Sequence, residues 1–293
     1  MSDMYSIFVS ARWDREIHKT IITPGDYSIV PYEDSRCKLS LSKIQCKNDS
    51  GTCEIEPEST IFSPSFNGTV VIGDLDNFLD KDVELILQRM CCGESCMATI
   101  VYKNNNNELV KEISFEIHLT EVTEEQLISE WSWNRLYEAS IHHKERGVLL
   151  VKEKRLVDAF RRFNKALKML VAIEPIDPDV IAGEQVKEMI DLRVKLYNNL
   201  AHCQLQFNEY EAAIELCNLA LKNDPENIKS LYRRCISLAG LKMYDEAWTD
   251  IQHVLQLDPN DKAAKLKATE LKPMIEKLNE DYTNVIKKMF IHS

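Results

Sequence analysis

The sequence predicts an α+β domain followed by an all-α array of stacked helix pairs. Three observations support this prediction: apolar and polar residues alternate before residue 122, apolar residues follow helical spacing after Trp133, and small residues recur with a fixed period in the second half. The length of 293 residues suits two domains. We therefore expect one antiparallel sheet with a short helix, then helices that bury their small residues against each other.

Residues 1–122 are expected to form the sheet domain. Four segments alternate in polarity or form short apolar runs, which is typical of strands. They are Cys37–Ile44, Thr69–Gly73, Met97–Tyr102 and Ile113–Leu119. The polar run Asn104–Asn107 predicts a hairpin loop between the last two strands. Phe78–Met90 instead has apolar residues at helical spacing, so we expect one short helix there.

The second half is expected to be helical throughout. We predict a linker at 123–133, a helical domain at 134–259 and a capping helix within 260–293. The predicted helices span about 134–150, 155–172, 184–206, 210–222, 228–241, 244–256 and 261–289. Two prolines in Glu174–Asp179 interrupt the pattern, because each lacks a backbone donor. We therefore expect an insertion at about 173–190.

Small residues recur at matching places in three stretches of this half. Gly147, Ala201 and Cys235 are equivalent, and twelve residues after them stand Ala159, Ala213 and Ala247. The second and third copies are 34 residues apart, and the first two are 54 apart, so about twenty residues are inserted. Helix–turn–helix units with a 34-residue period are tetratricopeptide repeats. Arrays of this kind present a concave groove to a peptide, which predicts a binding module.

The first helix of each pair lines such a groove, so its outward-facing residues decide what binds. The candidates are two lysines, an arginine and an asparagine: Lys144, Asn199, Lys229 and Arg233. Lys229 and Arg233 are four residues apart and share a helical face. Cations and an amide suit the terminal carboxylate of a peptide together with a neighbouring acidic side chain. The alternative is that these residues are ordinary solvated helix charges.

Three segments of the repeats resemble the FK-binding immunophilins that act as chaperone cofactors. They are Tyr197–Leu205, Ser230–Cys235 and Val254–Ala264. The resemblance implies that Lys144, Asn199, Lys229 and Arg233 form a carboxylate clamp. Its ligand would be the Met-Glu-Glu-Val-Asp tail of the ninety-kilodalton heat-shock protein. One position departs from the general clamp, which has a second asparagine where this chain has Val148.

The resemblance extends to the front domain, through Val71–Asp74, the segment ending Gln88–Glu94, and Phe115–Leu119. Active prolyl isomerases of this family line their pocket with aromatic rings, whereas Val83 and Leu41 fall where a tryptophan and a tyrosine are expected. The resemblance therefore implies a degenerate, non-catalytic domain that contacts a client or partner protein.

The chain is most similar to the divergent FK-binding-protein-like branch, with the Shutdown-type germline immunophilins second. A residual prolyl isomerase remains an alternative. So does a repeat scaffold that binds another peptide, as in the small-RNA pathway.

Composition limits which other classes of function are compatible with the sequence. Residues 1–130 carry 11 Lys and Arg against 23 Asp and Glu, and the rest of the chain carries 25 against 24. An acidic front half repels phosphates, so we expect no nucleic-acid partner. No apolar run is long enough to cross a membrane, and no secretory signal is visible. We therefore expect a cytoplasmic protein, with the nucleus as a second compartment.

The same reasoning predicts that all nine cysteines are reduced thiols. A zinc site built from Cys91, Cys92 and Cys96, together with Cys37, Cys46 and Cys53, is the weaker alternative, since their spacing is not that of paired zinc ligands. We expect no cofactor, no metal and no catalytic residue.

Overall fold

The computed structural model describes residues 6–12, 14–48, 50–55, 59–123, 128–177 and 179–291. The chain divides into two compact units, Met1–Leu127 and Ile128–Ser293. Among the residues just given, the first contains one sheet and one helix, and the second contains the remaining helices. The predicted α+β unit followed by a helical array is confirmed. Among the described residues, no helix combines the length and apolarity needed to span a bilayer.

The first unit is built on a seven-stranded antiparallel sheet in the order β1-β2-β6-β7-β3-β4, with β5 paired to β3. Its elements are β1 (Ser6–Arg12), β2 (Arg15–Thr23), β3 (Arg36–Asn48), β4 (Gly51–Thr52), β5 (Thr69–Val71), α1 (Phe78–Leu87), β6 (Ser95–Lys103) and β7 (Leu109–Thr123). The four predicted strands and the predicted helix are all present. Strands β1, β2 and β4 were not among the four predicted strands.

One face of the sheet and the inner face of α1 form the core of this unit. Val83 and Ile86 on α1 are fully buried, as are Phe115 and Ile117 on β7. The alternation in β3 holds from Cys37 to Leu41 and then changes, because one extra residue is inserted between Ser42 and Gln45. This β-bulge leaves Ile44 exposed.

The prediction that all nine cysteines are reduced is wrong at one pair. Cys46 and Cys53 form a disulfide, with their Cα atoms 5.3 Å apart. They lie opposite each other in the β3–β4 hairpin, where the backbone N–H of Cys53 donates to the Cys46 carbonyl oxygen at 2.9 Å. Hairpin pairing brings them within the Cα separation that a disulfide requires. The other seven cysteines are free thiols.

The second unit consists of seven long helices in the described residues. They are α2 (Trp133–Lys152), α3 (Leu156–Val171), α4 (Gly183–Gln206), α5 (Tyr210–Asn223), α6 (Ile228–Gly240), α7 (Tyr244–Leu257) and α8 (Lys262–Ile291). Each helix begins and ends within two residues of its prediction. Ala264 and Leu271 on α8 join the apolar cluster of α6 and α7, so α8 covers the last helix pair as expected.

The repeated small residues lie where the helices of each pair meet. Ala201, Cys235, Ala159, Ala213 and Ala247 are all fully buried. The extra residues between the first two repeats are divided between the connection from α3 to α4, which is not helical at 172–177 and 179–182, and an extended N-terminal end of α4. Helix α4 therefore has 24 residues, whereas α6 has 13. The end of the predicted insertion, 183–190, is helical.

Candidate functional site

The first helices of the three pairs are α2, α4 and α6, and α4 contacts both of the others. This arrangement puts one helix from each repeat in a continuous layer, which is how a tetratricopeptide array forms its concave surface. Lys144 lies on α2, Asn199 on α4, and Lys229 and Arg233 on α6. The four predicted residues therefore come from the three helices of this layer.

Arg233 is half-buried and faces α4. Its Nη1 donates a hydrogen bond of 2.9 Å to Oδ1 of Asn198. Within the described part of the chain, no carboxylate pairs with the Arg233 guanidinium. Burial lowers the pKa of Arg233, although an arginine with a lowered pKa still keeps its charge at neutral pH. The site therefore contains a partly desolvated cation whose charge is not balanced by an acid.

The adjacent Arg234 makes a different set of contacts. Its Nε and Nη2 donate to the two carboxylate oxygens of Asp250 at 2.8 and 2.7 Å, and its Nη1 donates to Asn218 at 2.7 Å. The hydrogen bond to Asp250 raises the pKa of Arg234. Because Asp250 lies on α7, this pair joins α6 to its own partner helix. Of the two consecutive arginines, only Arg233 is available to a ligand.

Lys229 is exposed in the first turn of α6. A cation at that place lies at the positive end of the helix dipole, where it does not stabilise the helix. Asn199 is half-buried on α4, and His202 lies one turn further along. Burial lowers the pKa of His202, and the positive charge of Arg233 lowers it further. His202 is therefore close enough to Arg233 to sense its charge.

The first repeat contributes less to the site. The Lys144 side chain is about a quarter exposed, and its Nζ is 4.0 Å from a carboxylate oxygen of Glu145. At that distance the contact is a weak surface ion pair, which leaves Lys144 able to bind another carboxylate. Val148 is half-buried and packs against the apolar cluster of α2, α3 and α4. It offers no hydrogen bond to a ligand.

Sequence reasoning missed two residues of this site, Asn198 and His202. Asn198 is 5% exposed, and its hydrogen bond to Arg233 joins two helices through residues that are 35 positions apart in sequence. No local pattern reveals such a contact. His202 could have been found, because it stands three residues after Asn199 and so shares its helical face.

In the front unit, the short segment Ser59–Phe62 covers the face formed by α1 and β7. We call it the covering segment. Asp80, 1% exposed in the first turn of α1, accepts hydrogen bonds from Ser59 Oγ, from Thr60 N at 2.9 Å and from Thr60 Oγ1 at 2.6 Å. These bonds hold Phe62 against Phe115, with ring centroids 5.1 Å apart and nearly perpendicular. The fully buried Val83 and the partly buried Leu41 belong to the same core.

The cysteines considered as a zinc site are packed individually. Cys96 is fully buried, its Sγ is 3.8 Å from Met90 Sδ, and burial raises its pKa to about 12. Burial also raises the pKa of Cys37 to about 12 and that of Cys91 above its usual value. Thiols of this kind stay protonated at neutral pH, which fits a packing role.

Comparisons with known proteins agree with the division of the chain into a sheet unit and a helical unit. Residues 11–124 match the family described as BDBT FKBP like N-terminal, and residues 194–227 match the tetratricopeptide repeat. The peptidyl-prolyl cis-trans isomerase FKBP4 of Rattus norvegicus is 34% identical over 154 residues. These are 53% of this chain but only 32% of the rat protein, so the match spans about a third of that relative.

Two further proteins match over a larger share of the chain. The Drosophila melanogaster protein Bride of doubletime is 26% identical over 217 residues, which are 72% of each protein. A crystal structure of residues 1–211 of CG17282 superposes with a TM-score of 0.52 at 24% identity, covering 67% of this chain and 91% of that one. That likeness supports the fold alone. The chain therefore combines an FKBP-like N-terminal domain with tetratricopeptide repeats and is homologous to FKBP4 and to Bride of doubletime.

Proposed function

We propose that this protein is a non-catalytic adaptor whose helical groove binds the acidic C-terminal tail of a partner. The tail with the matching chemistry is that of the ninety-kilodalton heat-shock protein, Met-Glu-Glu-Val-Asp, which would make the chain a co-chaperone. The FKBP-like domain then contacts a client or a second protein. Lys144, Asn199, Lys229 and Arg233 are the proposed peptide-binding residues.

The observation that carries this proposal is the half-buried Arg233 without an acidic partner among the described residues. A partly desolvated guanidinium is costly unless a ligand supplies the missing negative charge. Lys229, one turn earlier on α6, adds a second cation at a position that does not favour the helix. Two such groups with the Asn199 amide match a terminal carboxylate and an acidic side chain, through charge-assisted hydrogen bonds.

A non-catalytic front domain is supported by the packing of its core. An isomerase pocket needs an open apolar cavity with access for a prolyl peptide. In this chain Val83 and Phe115 are fully buried, and the Phe62 ring covers Phe115. Asp80 holds the covering segment to α1 through several hydrogen bonds. Moving this segment away to open a pocket would therefore leave the buried Asp80 carboxylate without hydrogen-bond partners.

Fluorescence anisotropy with a labelled Met-Glu-Glu-Val-Asp peptide tests the groove, with the C-terminally amidated peptide as control. We expect micromolar binding of the free acid and at least tenfold weaker binding of the amide, because the terminal carboxylate is the group recognised. Equal affinity for both peptides would favour the alternative scaffold, which binds an internal acidic segment. No binding of either would reject the chaperone tail as ligand.

The predicted front domain, 1–122, is tested for prolyl isomerase activity within the full chain. We expect the cis–trans exchange rate of a proline peptide to be unchanged by the full chain at micromolar concentration. Acceleration by the wild-type chain would contradict a non-catalytic front domain and would establish the residual isomerase instead.

A further inference from the structure

Arg233 in the groove is held by the buried side-chain amide of Asn198, which was not among the predicted site residues. Asn198 is 5% exposed, although asparagine is rarely buried unless its polar atoms are paired. Its Oδ1 accepts from Arg233 Nη1 at 2.9 Å and from Ser230 Oγ at 3.0 Å. Its Nδ2 donates to the Val194 carbonyl oxygen and to Asn227 Oδ1, both at 3.2 Å.

This bonding pattern fixes which way the amide points. Two donors, Arg233 and Ser230, converge on one atom of Asn198, and two acceptors converge on the other. A flipped amide would direct its NH₂ group at the guanidinium and its oxygen at the Val194 carbonyl oxygen and Asn227 Oδ1, and would lose those three bonds. The oxygen of Asn198 is therefore committed to the arginine, and the amide cannot also turn to a ligand.

The network also joins α4 to the beginning of α6. Asn227 caps α6, since its Oδ1 accepts from the backbone N–H of Ser230 at 3.0 Å, and its Nδ2 donates to Asp224 at 2.9 Å. Asn198 is thus anchored to a rigid helix terminus on one side and to its own helix through Val194. A side chain held on two elements is a fixed support for a third group.

We infer that Asn198 is the positioning residue for Arg233: it holds the guanidinium in one orientation before a peptide carboxylate arrives. Free arginine side chains are rotamer-rich, and ordering one on binding costs affinity. The bond to Asn198 supplies that order in the free protein. Because it engages Nη1, the remaining nitrogens of the guanidinium keep their donors for the ligand. This inference rests on the proposed carboxylate-binding function of the groove.

The test compares Asn198→Leu with Ser230→Ala. Leucine has a similar volume but no acceptor, so Arg233 loses its anchor. Ser230→Ala removes the other donor to the same Asn198 oxygen and leaves the bond to Arg233 intact, which controls for damage to the buried network. Both variants are checked by circular dichroism and thermal unfolding of the full chain.

Two measurements are made on each protein. The first is the Kd for Met-Glu-Glu-Val-Asp, expected to rise about two- to twelvefold in Asn198→Leu, the cost of ordering one side chain, and to stay near wild type in Ser230→Ala. The second is the NMR order parameter of the Arg233 Nε–H in the free protein, expected to fall in Asn198→Leu alone. This spectroscopic signal reports the orientation of the arginine rather than global stability.

The outcomes separate the two claims. If wild type binds the peptide and Asn198→Leu changes neither the Kd nor the Arg233 order parameter, the positioning role is wrong while the proposed function stands. Equal losses of affinity in Asn198→Leu and Ser230→Ala would also overturn it, because they would indicate a general structural role. If wild type does not bind the peptide, the proposed function fails and the positioning role fails with it.

Discussion

A Cβ atom placed on Gly147 would lie 2.5 Å from Cε1 of Phe163, closer than real Cβ atoms come to a neighbour. Gly147 on α2 is buried, and Phe163 on α3 is 1% exposed, so the aromatic ring lies directly against the glycine backbone. The first helix pair therefore depends on the missing side chain at this position.

Gly147→Ala is expected to destabilise the helical unit by about 1–3 kcal/mol, since the inserted methyl group forces the Phe163 ring out of its packing. Gly183→Ala is the matched control. It also lies in a helix, but a Cβ there meets nothing within 4 Å, so alanine should leave stability unchanged or raise it slightly. Urea unfolding followed by circular dichroism measures both. Equal stability of the two variants would contradict the packing described for α2 and α3.

The front unit contains a buried ion pair, in which Lys19 Nζ lies 2.6 Å from Glu94 Oε1. Both side chains are at most 3% exposed. Glu94→Gln is expected to cost about 3–5 kcal/mol of folding free energy, because it leaves the ammonium group buried without a counter-charge. Chemical denaturation followed by fluorescence is the measurement.

The more exposed pair of Lys103 and Glu16, with Nζ and Oε1 2.7 Å apart, provides the control for this unit. Lys103→Met should change stability little, because solvent screens exposed pairs. The double variant Lys19→Met/Glu94→Leu should recover part of the stability lost in Glu94→Gln. A double variant as unstable as Glu94→Gln would mean that hydrogen bonding rather than charge burial determines the loss.

His202 should report on the charge in the groove. Its pKa is lowered first by burial and second by Arg233. Arg233→Ala should therefore raise the pKa of His202 only part of the way to the ordinary value, since burial remains. A bound carboxylate should raise it too, by offsetting the Arg233 charge. NMR titration of the His202 ring, assigned with His202→Gln, measures these shifts.

The sign of the pH dependence follows from that shift. A group whose pKa is higher in the complex than in the free protein takes up protons on binding. The affinity for an acidic peptide should therefore rise as the pH falls through the pKa of His202 in the complex, until the peptide carboxylates themselves become protonated. A His202 pKa that is identical with and without bound peptide would place the ligand away from Arg233.

The periodic parts of this fold were predictable from sequence, and the irregular parts were not. The helix limits follow from apolar spacing and from terminators such as Asp258-Pro259, which act locally. The bulge in β3 and the Cys46–Cys53 bond depend on strand pairing, which adjacent residues do not encode. Local alternation cannot specify which strand lies beside which.

The candidate site was also predictable only in part from the sequence. Lys144, Asn199, Lys229 and Arg233 were predicted as outward-facing residues on the first helices of the repeats, and the four-residue spacing of Lys229 and Arg233 put those two on one helical face. The buried support at Asn198 was missed, because its partners Ser230 and Arg233 lie more than 30 residues away along the chain. Its neighbour Asn199, similar in chemistry and only half-buried, gave the stronger sequence signal.

The central claim is that Arg233 recognises a peptide carboxylate, and calorimetric titration with Met-Glu-Glu-Val-Asp tests it most directly. The proteins are wild type, Arg233→Ala and Lys222→Ala, the last removing an equal charge from an exposed position on α5. We predict micromolar binding by wild type, about −8 kcal/mol, retained in Lys222→Ala and at least tenfold weaker in Arg233→Ala. Wild-type affinity in Arg233→Ala, or no binding by wild type, would contradict the account.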